Sequence, residues 1–371
     1  MTTSRTLPLL LDLTQDVASL AIDLINIESV SGNEAELAGA IEAALEPLAH
    51  LEVLRDGNVV LARTTQGRPE NVVLAGHLDT VPLPTVTGSR GTVPAVVQEG
   101  TIYGRGTTDM KAGVAIQLQL AATVTESSRD ITYVFYDNEE VDSHLNGLAH
   151  AVKNHPDWFD AAFAVLLEPS HGVVEGGCNG SLQAVVRVKG VSAHSARAWM
   201  GTNAIHGLTD ILARLRDYQP ADVAVDGLVY KESLNAVRIG GGIAQNVIPD
   251  HAEVEINYRY APDKDTAAAT AVVKELLAGF DVEITDAMDG ARPGLDQAAA
   301  KDFVAAVGGT PNPKFGWTDV ARFTAMGIPA VNYGPGNPIL AHTDNEHISI
   351  ADIHASMDAM RAWLLAPTPA P

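Results

Sequence analysis

The sequence predicts an α/β fold: a mostly parallel sheet with helices on its faces, interrupted by a smaller α+β segment. Three observations predict it. Short continuous apolar runs recur between stretches of helical periodicity, as in NVVLAG (71–76), DITYVFY (130–136) and AFAVLL (162–167). Runs of this kind belong to strands buried on both faces, and helical crossovers are what let such strands lie parallel. Between 181 and 289 the pattern changes to alternating strands with one wet face and two amphipathic helices. After 290 the first pattern returns. Residues 1–180 and 290–371 are therefore expected to form one domain, with 181–289 inserted as a second of ordinary size.

Each element follows from local pattern. Amphipathic helices are expected at 15–27 and 34–48, the second capped by Ser31 or Asn33. Strands are expected at 51–54, 59–63 and 71–76, and the last runs into His77-Leu78-Asp79. In GRGTTDMKAG (104–113), Gly104 and Gly106 permit a tight turn and place Asp109 directly before an apolar helix over 111–124. The strand at 130–136 ends in Asp137-Asn138-Glu139-Glu140 and is followed by a helix at 145–154; the strand at 162–167 ends in Glu168. In the insert, strands are expected at 181–189, 234–239, 247–260 and 280–285, and helices at 203–218 and 265–277. The segment 289–294 leads back as a hinge. Helices at 297–307 and 319–326, a strand at 330–333, the loop GPGNPILAHTDNEH with His342, and a helix at 350–364 complete the chain.

Composition narrows the function. Of 371 residues, 46% are hydrophobic and 19% charged, as in a globular enzyme, and the net charge is −22. So acidic a chain argues against nucleic acid and against anionic membrane surfaces as partners, since both need a basic patch. The single cysteine, Cys178, excludes an intrachain disulfide and suits a reducing cytoplasm. The start lacks the apolar core of a signal peptide, and no stretch reaches the ~18 apolar residues that span a bilayer. No GxGxxG follows the first strand, which argues against a dinucleotide-dependent oxidoreductase.

The chemistry gathers at the strand ends. Open α/β sheets bind ligands beyond the carboxyl ends of their strands. Here those ends and their adjoining loops carry His77, Asp79, Asp109, Glu139, Glu140, Glu168 and His342. Nitrogen and oxygen donors in this mixture suit zinc, cobalt or manganese. A pair of ions needs one shared carboxylate, and each ion needs an imidazole and a further carboxylate. His77, Asp109, Glu140, Glu168 and His342 supply that number and leave open positions for catalysis. Asp79, two residues after His77, is placed to accept the second ring N–H of that histidine. Glu139 and Glu140 are neighbours and cannot point the same way on extended chain, so one is expected to bind metal and the other to act as a general base. The remaining histidines, among them His50, His144, His150, His155 and His354, read as surface or structural residues.

GHLDTVP, GRGTTDMKAG, the DNEE pair, LLEPS and the late His342 together resemble the co-catalytic dizinc family of aminoacylases, acetylornithine deacetylases and succinyl-diaminopimelate desuccinylases. The resemblance covers nearly the whole chain. It implies two Zn²⁺, with Co²⁺ able to substitute, and Asp109 bridging them. It puts His77 and Glu168 on one ion and Glu140 and His342 on the other. It makes Glu139 the general base acting on metal-bound water and Asp79 the supporting carboxylate. It also implies that the ferredoxin-like insert is a lid and dimerisation domain, whose His194 reaches the active site of the partner subunit in a homodimer.

Within that family, GVSAHSARAWMGTNAIH, AQNVIPDHAEVEINYRY and GPGNPILAHTDNEH are similar to the desuccinylase branch. This implies hydrolysis of N-succinyl-LL-2,6-diaminopimelate, with Arg197, Asn246, Arg259 and Arg292 as contacts for its carboxylates. Thr318, Asp319 and the loop from Gly334 to Asn337 would form the opposite wall. Many relatives have a proline near Trp199, where this chain has none. Two other readings compete: another N-acyl-amino-acid deacylase or peptidase of the family, and a dimeric binding protein without catalysis.

Overall fold

The computed structural model describes residues 10–367, and the chain divides into two compact units. One ends at Gly176 and resumes at Gly294–Asn312 and from Arg322 onward; the other comprises Gly177–Pro293 and Pro313–Ala321.

The first unit is built on a sheet whose strands include, in order, Glu52–Asp56, Val59–Arg63, Asp130–Tyr136, Asn71–His77, Phe163–Leu166, Ala330–Asn332 and Glu175–Gly176. From Asp130–Tyr136 through Ala330–Asn332 the pairing is parallel, and Val59–Arg63 joins this core antiparallel. The parallel strands are buried on both faces, which is why their sequences are continuously apolar rather than alternating. Helices Val17–Asn26, Ala112–Thr123 and Ile350–Leu365 pack together and contribute to one core with the sheet. Ala112–Thr123 is buried nearly all round, as its lack of a polar face requires. Phe303 stacks edge-on to Trp363 at 4.8 Å and to Tyr333 at 5.3 Å. That aromatic cluster ties two helices to the end of the strand Ala330–Asn332.

The second unit holds a four-stranded antiparallel sheet in the order Ser233–Gly241, His251–Tyr260, Gly180–Lys189, Val282–Met288. Numbered along the chain, that is the 2-3-1-4 order of a ferredoxin-like βαββαβ unit. Its helices cover one face, through Leu208, Ile211, Ala269 and Val273 packed on Leu182, Val186, Val254 and Ile256. The other face is open, and there Arg187 pairs with Glu253 at 3.3 Å.

Four details depart from expectation. Neither Ser31 nor Asn33 caps the second helix, which runs Ala35–Leu45 from Glu34; the Ser31 hydroxyl donates instead to Asp79 Oδ2 at 2.7 Å. The strand expected at 247–260 is broken, because Pro249 has no N–H to continue the ladder. Val247–Ile248 pairs with Ala193–His194, and His251–Tyr260 starts afresh. The helix expected at 203–218 divides into Ala204–Gly207 and Thr209–Asp217. At the break, Gly207 sits where a Cβ would lie 2.6 Å from Val188. A hairpin, Asp222–Val225 with Leu228–Lys231, turns at Asp226-Gly227, both left-handed, as a tight two-residue turn requires.

Candidate metal centre

The sheet brings the predicted donors together. His77 is the last residue of its strand and is buried. Its Nδ1 lies 3.0 Å from the backbone carbonyl of Asp79, an oxygen that can only accept. In the neutral imidazole this contact would hold the ring proton on Nδ1 and leave the Nε2 lone pair facing the site. The Asp79 carboxylate stands 3.5 Å from the same nitrogen and has a second set of partners. It accepts from the amides of Glu139 at 2.9 Å and Glu140 at 3.0 Å, as well as from Ser31. Asp79 thus meets His77 Nδ1 with both its carbonyl and its carboxylate, and the carboxylate also fixes the Glu139–Glu140 turn. Asn138 enters that turn in the left-handed region, at φ 57°.

Asp109 lies in the turn Thr107–Lys111, which follows Gly106 at φ 81° and leads into Ala112–Thr123. The Asp109–Met110 peptide is cis. Asp109 Oδ1 is 3.1 Å from His77 Nε2, and its Oδ2 is 3.3 Å from His342 Nε2. His342 Nε2 is also 2.9 Å from Glu140 Oε1, and His77 Nε2 is 3.9 Å from Glu168 Oε1. His342 adopts φ 62°, a conformation that costs a non-glycine residue about 1–2 kcal/mol and that clusters at functional sites. Two donor triplets, His77–Asp109–Glu168 and Asp109–Glu140–His342, each have their ligand atoms within 4.8 Å and share Asp109. A third, His77–Glu139–Glu140, brings in the second member of the acidic pair.

Electrostatics shows what the donors are suited to hold. Burial opposes ionisation of Asp109, yet hydrogen bonds to His342 and His77 hold its carboxyl well below the usual range. Burial raises Glu140, and the charge of Asp109 raises it further. Burial would lower His77, but Asp109, Asp79 and Glu168 override it and hold the imidazole well above its ordinary value. Hydrogen bonds to Asp109 and Glu140 push His342 up to about 10. Three converging carboxylates thus demand positive charge, and without another cation the imidazoles must supply it by taking protons. Two dications meet the same demand with neutral imidazoles as ligands, so the donor set fits a pair of zinc-like ions.

The other predicted residues divide by location. Gly334 and Asn337 are in the unit that holds the donors. Gly334 packs where a Cβ would lie 2.4 Å from the carbonyl of Leu167, so its bare backbone lets the Glu168 loop close in. Asn337 caps the turn Pro338–Leu340. In the second unit, pairing of His194 with Val247 and a 2.9 Å hydrogen bond from Ser195 N to Asn246 O bring His194 and Asn246 together. The exposed His194 accepts from Ala196 N at 3.0 Å, and Arg197 is exposed beside it. Arg259 Nε donates to Asn257 at 3.2 Å on the open face of the sheet. Arg292 spends its fork on Asp226, at 2.9 and 2.5 Å. Thr318 and Asp319 are buried, and the Thr318 carbonyl faces Cys178 Sγ at 3.7 Å. Glu346, which grips the Asp109 loop, is not among the expected residues; the two acids of TDNEH read as a solvated turn, and only burial marks Glu346 out.

The sequence profile of peptidase family M20/M25/M40 matches residues 73–366. The chain belongs to that family. Membership makes it a metal-dependent hydrolase of amide bonds. It is 49% identical over 358 residues to a Mycobacterium tuberculosis protein provisionally named a succinyl-diaminopimelate desuccinylase, covering 96% of this chain and 99% of that one. It is 44% identical over 354 residues to the succinyl-diaminopimelate desuccinylase of Corynebacterium glutamicum, covering 92% and 94%. In fold it is similar to an M20 family metallo-carboxypeptidase from Sulfolobus solfataricus, with a TM-score of 0.77, 17% identity, and 95% and 99% of the two chains covered. Among the described residues no helix is long and apolar enough to cross a membrane.

Proposed function

We propose that this M20 protein removes succinate from N-succinyl-LL-2,6-diaminopimelate at a two-zinc centre. The observation that carries the two-ion reading is Asp109, whose two oxygens face two different imidazoles at 3.1 and 3.3 Å. One carboxylate so placed can bridge. His77 and Glu168 would hold one ion, and Glu140 and His342 the other. The substrate is proposed from the likeness, over nearly the whole chain, to proteins that bear the desuccinylase name.

Zinc, or cobalt in its place, would polarise the amide carbonyl and acidify a water. Glu139 accepts the proton of the attacking water and returns it to the leaving nitrogen. A carbon–oxygen bond forms, the carbon–nitrogen bond breaks, and succinate and a free amine are released. Asp79 keeps Glu139 and Glu140 apart in role by fixing both their amides. The substrate carries carboxylates while the chain has a net charge of −22, so local cations must anchor it. Arg259 is the proposed anchor, since a guanidinium can grip a carboxylate with two parallel hydrogen bonds. The working form is a homodimer in which the His194 of one subunit donates to the developing oxyanion in the other. The one cysteine, buried Cys178, suits a reducing cytoplasm.

The test is reconstitution followed by a substrate panel. Chelated protein should be inactive and regain full turnover with about two equivalents of Zn²⁺ or Co²⁺. It should prefer N-succinyl-LL-2,6-diaminopimelate to N-acetylornithine. Full activity without metal would overturn the two-ion reading, and a preference for N-acetylornithine the substrate.

A further inference from the structure

The Asp109 loop is held from behind by a buried side chain outside the donor set. Glu346 is 1% exposed. Its Oε1 accepts from Thr108 N at 2.9 Å and Asp109 N at 3.1 Å. Its Oε2 accepts from Gly106 N at 3.1 Å and from Arg105 Nη1 at 2.8 Å. Four donors converge on one carboxyl group, leaving it no acceptor to which a proton on it could be given. Charge-assisted hydrogen bonds of this kind are roughly twice as strong as neutral ones.

Glu346 lies four residues beyond His342, and its own backbone is fixed too. Its carbonyl accepts from Gly104 N at 3.1 Å, and the next carbonyl, of His347, accepts from the Thr108 hydroxyl at 2.8 Å. Immediately beyond, His347–Ser349 pairs antiparallel with Thr101–Tyr103. Gly91 N donates to Asp344 O at 2.8 Å, and a Cβ on Gly91 would lie 2.9 Å from Glu346 N, so the turn is also packed from outside. Asp109 and His342, 233 positions apart in the chain, are thus joined through one side chain.

We propose that Glu346 is a positioning residue that locks the Asp109 loop to the His342 turn and sets the spacing of the two metal-binding halves. The proposal rests on reading Asp109 and His342 as ligands. Residues behind the ligands commonly govern metal affinity by 10–100-fold. Glu346→Gln keeps the size but turns an amide NH₂ toward N–H donors. It should fold, bind its second equivalent of Zn²⁺ at least tenfold more weakly in chelator competition, and show an altered Co²⁺ absorption spectrum. A merely structural role would lower thermal stability and leave affinity and spectrum as in the parent, and that result would overturn the proposal.

A second measurement needs no variant. Hydrogen exchange of the full-length parent should show the amides of Gly106, Thr108 and Asp109 protected alike with and without metal, because Glu346 rather than the ion holds them. If they exchange freely once metal is removed, the proposal fails. Failure of the ligand reading shows separately, as a parent that does not bind two ions.

Discussion

Glu139 and Glu140 are consecutive, yet the structure gives them different surroundings. Both amides are pinned to the two oxygens of Asp79, so the turn cannot rotate to exchange them. Glu140 is within 2.9 Å of His342, inside a donor triplet with Asp109. Glu139→Gln should therefore keep two metals per chain and lose turnover by ~10²–10⁴-fold, the usual worth of a general base. Glu140→Gln should lose metal, since a neutral amide oxygen is a poorer ligand than a carboxylate. Metal content by atomic spectroscopy alongside kcat checks both, and the opposite pattern would exchange the two roles. Adjacency in the sequence favours such a division, and the family resemblance says which residue takes which role. The sequence could not show that the Asp79 carboxylate fixes the turn, because those contacts span about 60 positions of sequence and depend on how two strand ends meet.

Among elements, legibility followed burial. The parallel strands announce themselves as unbroken apolar runs, and each ends in a residue of the site, so strand ends alone located five of the candidates: His77, Asp79, Glu139, Glu140 and Glu168. Contacts made by loops were harder to read, since the grip of Glu346 depends on which turns meet in space. The break at Pro249 and the Asp226-Gly227 hairpin had sequence signals that an apolar alternation overshadowed. One packing contact yields a prediction whose sign is unusual. Gly113 lies in the first turn of Ala112–Thr123, and alanine for glycine within a helix ordinarily gains about 1 kcal/mol. Here the added Cβ would stand 2.2 Å from the carbonyl oxygen of Leu167, a backbone atom that cannot swing aside. Gly113→Ala should instead destabilise by about 1–3 kcal/mol, the cost of overpacking. The displaced Leu167 precedes Glu168, so metal affinity should fall as well. A denaturation midpoint equal to or above that of the parent would refute the argument.

For the whole molecule the question is how many chains make one working site. The edge strand Ser233–Gly241 exposes Val237 and Ile239, at 62% and 55%. A bare apolar sheet edge is a liability that proteins pair or cover. A second copy related by a twofold axis would cover it with the same patch. His194 is exposed and lies on a short strand of the same unit, where its Nδ1 accepts from the Ala196 amide at 3.0 Å. Its proposed work lies in the partner's site, where a positioned donor to an oxyanion is worth ~3 kcal/mol. Two inactive variants, Glu139→Ala and His194→Ala, test this when refolded together in equal amounts. Random pairing makes half the dimers hybrid. In a hybrid, one site joins the two lesions, and the other joins an intact Glu139 to an intact His194 from across the interface. About a quarter of parental activity should therefore return, under a symmetric twofold. If His194 served the site of its own chain, or if single chains were the active species, both sites of every mixture would stay broken and no activity would return.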